Sequence, residues 1–210
     1  MNLAQSERAA LADLFATLGP DQPTLCEGWD TRDLLTHLLV RERRPDAALG
    51  AVVKPLQGWT QKVQDGYAGR PWTELIEDYR SGPPGWNPAW WGKIDELTNS
   101  GEMFIHHEDA RRGQPEWAPR EFDPATTEQL AKMVGSGFSK LMVRKSPVGI
   151  QALLPNEQTV ELKSGSPAVT IAGEPGEILL WLAGRDATKV ELTGDRDAVE
   201  TLSTTLKRGL

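Results

Sequence analysis

The sequence lacks the features that mark several classes of protein. Its single cysteine, Cys26, excludes an internal disulfide and a cysteine-rich metal knuckle, and it suits a reducing compartment. No run of about 18 uncharged apolar residues occurs, and the opening MNLAQSERAALADLF carries acidic residues instead of a long apolar core. We therefore expect a cytoplasmic protein with neither a secretory leader nor a membrane partner.

An excess of positive charge is also missing. The chain has 23 lysines and arginines against 30 acidic residues, a formal net charge of −7 and a pI near 5.1. Proteins whose main task is binding nucleic acid need a concentrated basic face, and the run RERRP at 41–45 is too short to supply one. The composition therefore predicts no nucleic-acid partner.

Several catalytic motifs are absent as well. The sequence contains no glycine-rich phosphate loop, no G-x-S-x-G and no H-E-x-x-H. What remains is a chain of 210 residues with 39 % hydrophobic and 25 % charged residues, a composition typical of globular proteins. Its length fits one large domain, or a domain with a small partner.

The hydrophobic pattern changes character near residue 145. Before it, apolar residues recur at helical spacing, with a stop at Gly19-Pro20 and a helix cap at Asp30 or Thr31. After it, short alternating segments separated by Pro, Asn, Gly and Ser predict strands and two helices. We predict an α+β fold, with a helical bundle at 1–144 and a small α+β domain at 145–210. The tryptophan-rich segment 81–93 predicts an ordered loop over apolar surface, with a ligand platform as the alternative.

Histidine is scarce, and the three histidines are unevenly placed. His106 and His107 adjoin each other in SGEMFIHHEDARRG, and His37 lies in TRDLLTHLLVRERRP. The predicted position of His37 is the border of an apolar helix face. In a helical bundle such positions face neighbouring helices, where metal sites are commonly built.

Helical geometry places three polar residues of the second segment on one stripe. Glu102 and His106 are one turn apart, and Asp109 continues the same face. His107 diverges from His106 by about 100°, so it should point elsewhere. A carboxylate and an imidazole one turn apart can bind one cation, and Asp109 would then orient a ligand or bound water without touching the metal.

Simpler interpretations remain open for each of these residues. Glu102 and His106 would also make an exposed helical pair, and His37 would also suit a core edge where it bonds a carbonyl. Cys26 fits either a reactive thiol or a small packing residue. Arg41 and Arg44 flank His37 and would bind an anionic substrate, or would simply be solvated arginines near a helix C-terminus.

Two segments, LCEGWDTRDLLTHLLVRERRPDA and EMFIHHEDARR, resemble the actinobacterial branch of the DinB-like superfamily, near the mycothiol-dependent maleylpyruvate isomerases. The resemblance implies a metal-binding four-helix bundle followed by a small α+β domain related in fold to sterol carrier proteins. It also implies that His37, Glu102 and His106 hold the metal. Trp29 and Asp33 match the start of the family's first metal-binding helix, which implies a supporting role for Asp33 near the ligands.

Two histidines and one carboxylate would leave a coordination position open, as in catalytic zinc sites. With the resemblance, this predicts a divalent-metal-dependent enzyme that uses a low-molecular-weight thiol such as mycothiol on a small electrophile, as a transferase or isomerase. The alternatives are a metal-loaded binding or sensing protein and a purely structural interaction protein. Zinc is the expected metal, although nickel and iron(II) accept the same donors. Association into a homodimer is compatible with such a bundle.

Overall fold

This computed structural model describes residues 2–48, 53–85 and 93–206. The chain divides into two compact units, Met1–Trp117 and Ala118–Leu210. Most of the tryptophan-rich segment predicted as a loop over apolar surface lies outside the described residues. Among the described residues, no helix combines the length and the apolar character needed to cross a membrane.

The described part of the first unit is helical, apart from its connecting turns. A short 3-10 helix, Lys54–Leu56, leads into the fourth α-helix. The α-helices are α1 Leu3–Leu18, α2 Thr31–Arg43, α3 Pro45–Ala48, α4 Gln57–Ala68, α5 Trp72–Arg80 and α6 Lys93–Arg112.

Local sequence signals begin and end these helices. The Asn2 side chain accepts a hydrogen bond from the Gln5 amide at the start of α1, and Gly19 follows its end with a φ of 81°. Asp30 caps α2 by accepting from the Asp33 amide, and the Asp33 carboxylate accepts from the Asp30 amide in return. The start of α2, which carries His37, is therefore held by its own sequence.

An apolar core joins the helices of the first unit. Helix α1 packs against α5 and α6, while α2 packs against α4 and α5. Leucines of α2 and aromatic residues of α1 and α5 dominate this core because they are large and almost completely buried. Its largest members are Leu11, Phe15, Leu34, Leu35, Leu38, Leu39, Leu75, Tyr79 and Met103.

The second unit begins with two helices that the sequence analysis assigned to the bundle. They are α7, Pro124–Val134, and α8, Gly137–Val143. Helix α7 packs against α9 and helix α8 against strand β2, both defined below. The observed division after Trp117 thus lies upstream of the predicted boundary at 144/145, because these helices bury their apolar residues against elements of the second unit.

A four-stranded sheet completes the second unit. Its strands β1 Gly149–Leu153, β2 Thr159–Lys163, β3 Ala168–Gly173 and β4 Val190–Gly194 are ordered β2-β1-β3-β4. Strand β1 pairs antiparallel with β2 and parallel with β3, and β3 pairs antiparallel with β4. Helix α9, Pro175–Leu182, is buried along its whole length, and α10, Arg196–Leu206, packs on β3 and β4. The predicted α+β class is confirmed.

Candidate metal centre

Helices α2 and α6 bring two of the three histidines together. The ring centroids of His37 and His106 lie 5.5 Å apart, with the rings nearly perpendicular. The capped start of α2 and the apolar packing of its leucines orient His37 in the direction of α6. A pair of helices thus gathers residues that are nearly seventy positions apart in the sequence.

The two nitrogens of the His106 ring face different carboxylates. Nε2 lies 3.6 Å from Oε2 of Glu102, one turn earlier on α6. Nδ1 lies 3.0 Å from Oδ2 of Asp109, which is completely buried. The first distance is that of an ion pair and the second that of a hydrogen bond. Asp109 therefore holds the ring while Nε2 remains directed toward Glu102.

The environment favours the neutral form of His37 and the charged form of Glu102. Burial and, next, the charge of His106 lower the pKa of His37 to about 4, and the opposing effect of Glu102 does not offset them. Burial raises the pKa of Glu102, but its pairing with His106 and the charge of Arg41 outweigh this and bring it to about 2. At neutral pH both side chains therefore have the protonation state that a metal ion requires.

His106 responds in the opposite direction. Burial lowers its pKa, but the interactions with Asp109, Cys26 and Glu102 are stronger and raise it well above the usual value. The surroundings thus favour the protonated, positively charged form of the His106 ring. A divalent cation at Nε2 would replace a proton there and meet the same negative groups.

The turn that contains Cys26 and Trp29, just before α2, contacts His37 on one side and Asp109, the partner of His106, on the other. The Trp29 amide donates to the Cys26 carbonyl at 3.0 Å, and Gly28 adopts a φ of 76°, which a residue with a side chain rarely adopts. The indole of Trp29 lies 5.0 Å from the His37 ring, centroid to centroid. The thiol of Cys26 lies 3.2 Å from Oδ2 of Asp109.

Cys26 was the site residue to which the sequence analysis gave no role in metal binding. Within the part of the chain that the structure describes, one group of donors lies within 4.8 Å of one another, formed by Cys26, His106 and Asp109. The only sequence signal for a role of Cys26 was its position shortly before Trp29 and the start of α2. Helical spacing could not reveal it, because a loop residue has no fixed relation to a helix stripe.

The other predicted residues lie in different surroundings. Arg41 is in the site: its Nη1 donates to Asn99 at 2.7 Å, and its Nε lies 3.8 Å from Glu102. Arg44 instead makes two hydrogen bonds to Asp46 and stacks over Trp59, a set of contacts typical of an exposed helix end.

Asp33 and His107 also have structural partners. The exposed Asp33 carboxylate serves the cap of α2, where the resemblance implied a place near the ligands. His107 points away from His106 and pairs through Nδ1 with Glu7 of α1 at 2.7 Å. The structure therefore gathers His37, Glu102, His106, Asp109 and Arg41 at one site, and Asp33, Arg44 and His107 have other contacts.

Comparison with protein families gives one match. The model described as "Mycothiol maleylpyruvate isomerase N-terminal domain" matches residues 4–96, a stretch that includes Trp29 and His37 and ends before Glu102 and His106. No curated protein and no solved structure matches the chain. The match confirms the resemblance recognised in the sequence and links the chain to mycothiol-related proteins. Residues 4–96 of this chain are thus similar to the mycothiol maleylpyruvate isomerase N-terminal domain.

Proposed function

We propose that this protein is a divalent-metal-dependent enzyme that uses a low-molecular-weight thiol of the mycothiol type on a small electrophilic substrate, as a transferase or isomerase. The observation that carries the proposal is the approach of His37 to His106, at 5.5 Å between ring centroids, beside the Glu102 carboxylate. The family match supports the use of a thiol cosubstrate, because the matching family is described as the N-terminal domain of mycothiol maleylpyruvate isomerase.

The proposed metal ligands are His37, Glu102 and Nε2 of His106. Two neutral imidazoles and a carboxylate fit zinc, which is our first choice, and also nickel or iron(II). The hydrogen bond from Nδ1 of His106 to Asp109 supports this choice of nitrogen, because metal-bound histidines usually donate their second N–H to a carboxylate. The low pKa of Glu102, about 2, keeps that donor ionised.

A metal ion held by three protein donors would supply an open coordination position, where a thiol or water loses its proton more easily and a carbonyl is polarised. The residues of the chain would do the rest. His37 and Glu102 hold their donor atoms in the unprotonated form, and Asp109 keeps the His106 ring in one orientation.

Arg41 is the proposed contact for an anionic part of the substrate. Its side chain is 26 % exposed, and it lies between Asn99 and Glu102 at the edge of the site. A guanidinium there can bind a carboxylate in two-point fashion while it remains close to the ligands. Arg44, with its own pair at Asp46, has no such role in the proposal.

A direct assay tests the proposal. Freshly purified protein would first be analysed for bound metal, then supplied with zinc and mycothiol and offered a panel of small electrophiles while thiol consumption is followed. We expect turnover that is abolished by His37→Ala and by chelator. Arg41→Ala should raise KM for anionic electrophiles by about tenfold or more, the scale of one lost charged contact, and its matched control Arg44→Ala should not.

The same assay distinguishes the alternative of a metal-loaded binding or sensing protein. In that case one equivalent of thiol binds per metal and no product forms. A protein that carries no metal after purification, takes up none and shows no change of Tm with chelator would contradict the proposal. The proposed setting is a reducing cytoplasm, where a small thiol is abundant, with small molecules rather than nucleic acid as partners.

A further inference from the structure

Cys26 is held against helix α6 by several contacts outside its own side chain. The Leu25 amide donates to the Asp109 carbonyl at 3.0 Å, and the Gln114 side chain donates to the Pro23 carbonyl at 3.0 Å. The Cys26 amide donates to Thr24 Oγ1 at 3.1 Å. The loop therefore follows α6 closely, and the position of the thiol is set by the backbone.

At Gly113 the loop lies so close to the chain after α6 that no side chain fits between them. A Cβ on Gly113, just after α6, would lie within 2.3 Å of the Pro23 carbonyl oxygen. Such a contact between backbones requires glycine. The loop and the end of α6 are thus in direct backbone contact next to Cys26 and Asp109.

One oxygen of Asp109 receives two donors. Oδ2 lies 3.0 Å from Nδ1 of His106 and 3.2 Å from Sγ of Cys26. A carboxylate oxygen has two lone pairs and can accept both an N–H and an S–H hydrogen bond. Because Asp109 is fully buried, each of these hydrogen bonds compensates part of the hydration that its carboxylate loses.

We infer that Cys26 is a positioning residue for the proposed metal site. Its thiol donates to Asp109 and holds the carboxylate that in turn fixes the His106 ring, so that Nε2 faces Glu102 and His37. This inference rests on the proposed function, because the ring orientation matters only if Nε2 binds a metal. In this role the thiol of Cys26 acts as a hydrogen-bond donor to Asp109 and does not bind the metal.

The rival role for the same atoms is a metal site made by Cys26, Asp109 and Nδ1 of His106, whose donors lie within 4.8 Å of one another. A metal there would displace the S–H and N–H protons and replace both hydrogen bonds. The turn supports the positioning role, because it also places the indole of Trp29 beside the His37 ring, 5.0 Å between centroids, and so contacts both proposed histidine ligands.

Infrared spectroscopy tests the hydrogen bond without any metal. The chain has one cysteine, so its S–H stretching band belongs to Cys26 alone. We expect the band of the metal-free protein at lower frequency than that of an unbonded thiol. In Asp109→Asn, whose amide oxygen is a weaker acceptor, it should move to higher frequency. A band at the unbonded position in the unchanged protein would overturn the inference.

Zinc affinity, measured by competition with a chelator, tests the positioning. Cys26→Ala should weaken zinc binding by about tenfold, the lower end of the effect of groups that orient ligands. Cys26→Ser, whose hydroxyl also donates, should restore the affinity to within about threefold of the original. Glu27→Ala, an exposed residue of the same turn, is the matched control and should leave affinity unchanged. Equal affinities for the alanine variant and the unchanged protein would contradict the inference.

Cobalt(II) distinguishes the rival site. With cobalt bound, the S–H band should persist, and no sulfur-to-cobalt charge-transfer absorption should develop. Loss of the S–H band together with that absorption would identify Cys26 as a ligand and overturn the positioning role. If the unchanged protein binds neither zinc nor cobalt, the proposed function and the positioning role both fail, and the infrared result still decides the hydrogen bond.

Discussion

Two groups of charged side chains in the first unit are paired differently. In the first group, Arg8 of α1 donates to Glu42 of α2 at 2.6 Å, and both side chains are nearly inaccessible. The second group lies at the candidate metal centre, where Glu102 is 31 % exposed and lies 3.6 Å from His106 and 3.8 Å from Arg41. The Arg8–Glu42 distance is that of a hydrogen bond, whereas the distances from Glu102 to His106 and Arg41 are about 1 Å longer.

This difference separates structural charge pairs from a binding site. A charge pair that is buried within the fold needs short contacts, because each charge must then compensate the hydration that the other has lost. A binding site instead needs donors that are close to one another without satisfying each other completely. The exposed fraction of Glu102 and the neutral ring of His37 fit the second description.

The largest expected effect comes from breaking the structural pair. Arg8→Ala would leave the Glu42 carboxylate buried without its strongest partner, so we expect the free energy of unfolding to fall by about 3–5 kcal/mol. Urea denaturation measures this. Replacing both residues, by Arg8→Met and Glu42→Leu, should recover most of the loss because no charge then remains buried.

A matched control for this pair lies at the end of α2. Arg44 and Asp46 also bond at 2.8 Å, but solvent screens this exposed pair, so Arg44→Ala should lower the free energy of unfolding far less than Arg8→Ala does. Similar losses for Arg8→Ala and Arg44→Ala would show that burial does not distinguish the two pairs.

The second effect in size concerns metal affinity and compares adjacent histidines. His106→Ala should weaken zinc binding by more than about 100-fold, equivalent to about 2.7 kcal/mol, because a direct ligand should matter more than the groups that orient it. His107→Ala should leave zinc binding almost unchanged, since this ring pairs with Glu7. Metal analysis and competition titration of both variants check the contrast, and an equal loss in the two would contradict the proposed ligand set.

Helical geometry explains how much of this contrast was accessible from the sequence. Glu102, His106 and Asp109 share a stripe by spacing alone, and the divergence of His107 follows from the same rule. The border position of His37 predicted that it would face another helix, and α6 is that helix. The α+β class was also predictable from the spacing of apolar residues, because this spacing changes from helical to alternating near residue 145, close to the start of β1.

Other features depended on packing between distant segments and could not be read from spacing. Cys26 reaches Asp109 because a loop follows the end of α6, a contact between residues 83 positions apart. Gly135 and Ser136 separate α7 from α8, although both helices lie in the part of the chain that the hydrophobic pattern predicted as helical. The division after Trp117 depends on which core these helices join, which no local pattern records.

The third effect is on stability and uses the other side of the histidine contrast. His107→Ala removes an imidazole that bonds Glu7 at 2.7 Å in a buried position, so we expect a loss of about 1–3 kcal/mol in the free energy of unfolding. His107→Gln keeps a donor and should lose less. Urea denaturation of the metal-free variants measures this, and a loss below about 0.5 kcal/mol would show that the pair adds little to the fold.

The smallest expected effect tests whether the cap of α2 acts on the fold alone. Asp30→Ala removes the acceptor for the Asp33 amide, so we expect a loss of about 1 kcal/mol in the free energy of unfolding. Asn is also a good helix cap, so Asp30→Asn should lower the free energy of unfolding by only a few tenths as much as Asp30→Ala does. His37 lies nearly two turns further along α2, where the packing of Leu34 and Leu38 continues to hold the helix. Zinc affinity should therefore be the same in both variants, and a tenfold decrease in Asp30→Ala would show instead that fraying of the first turn reaches the candidate metal centre.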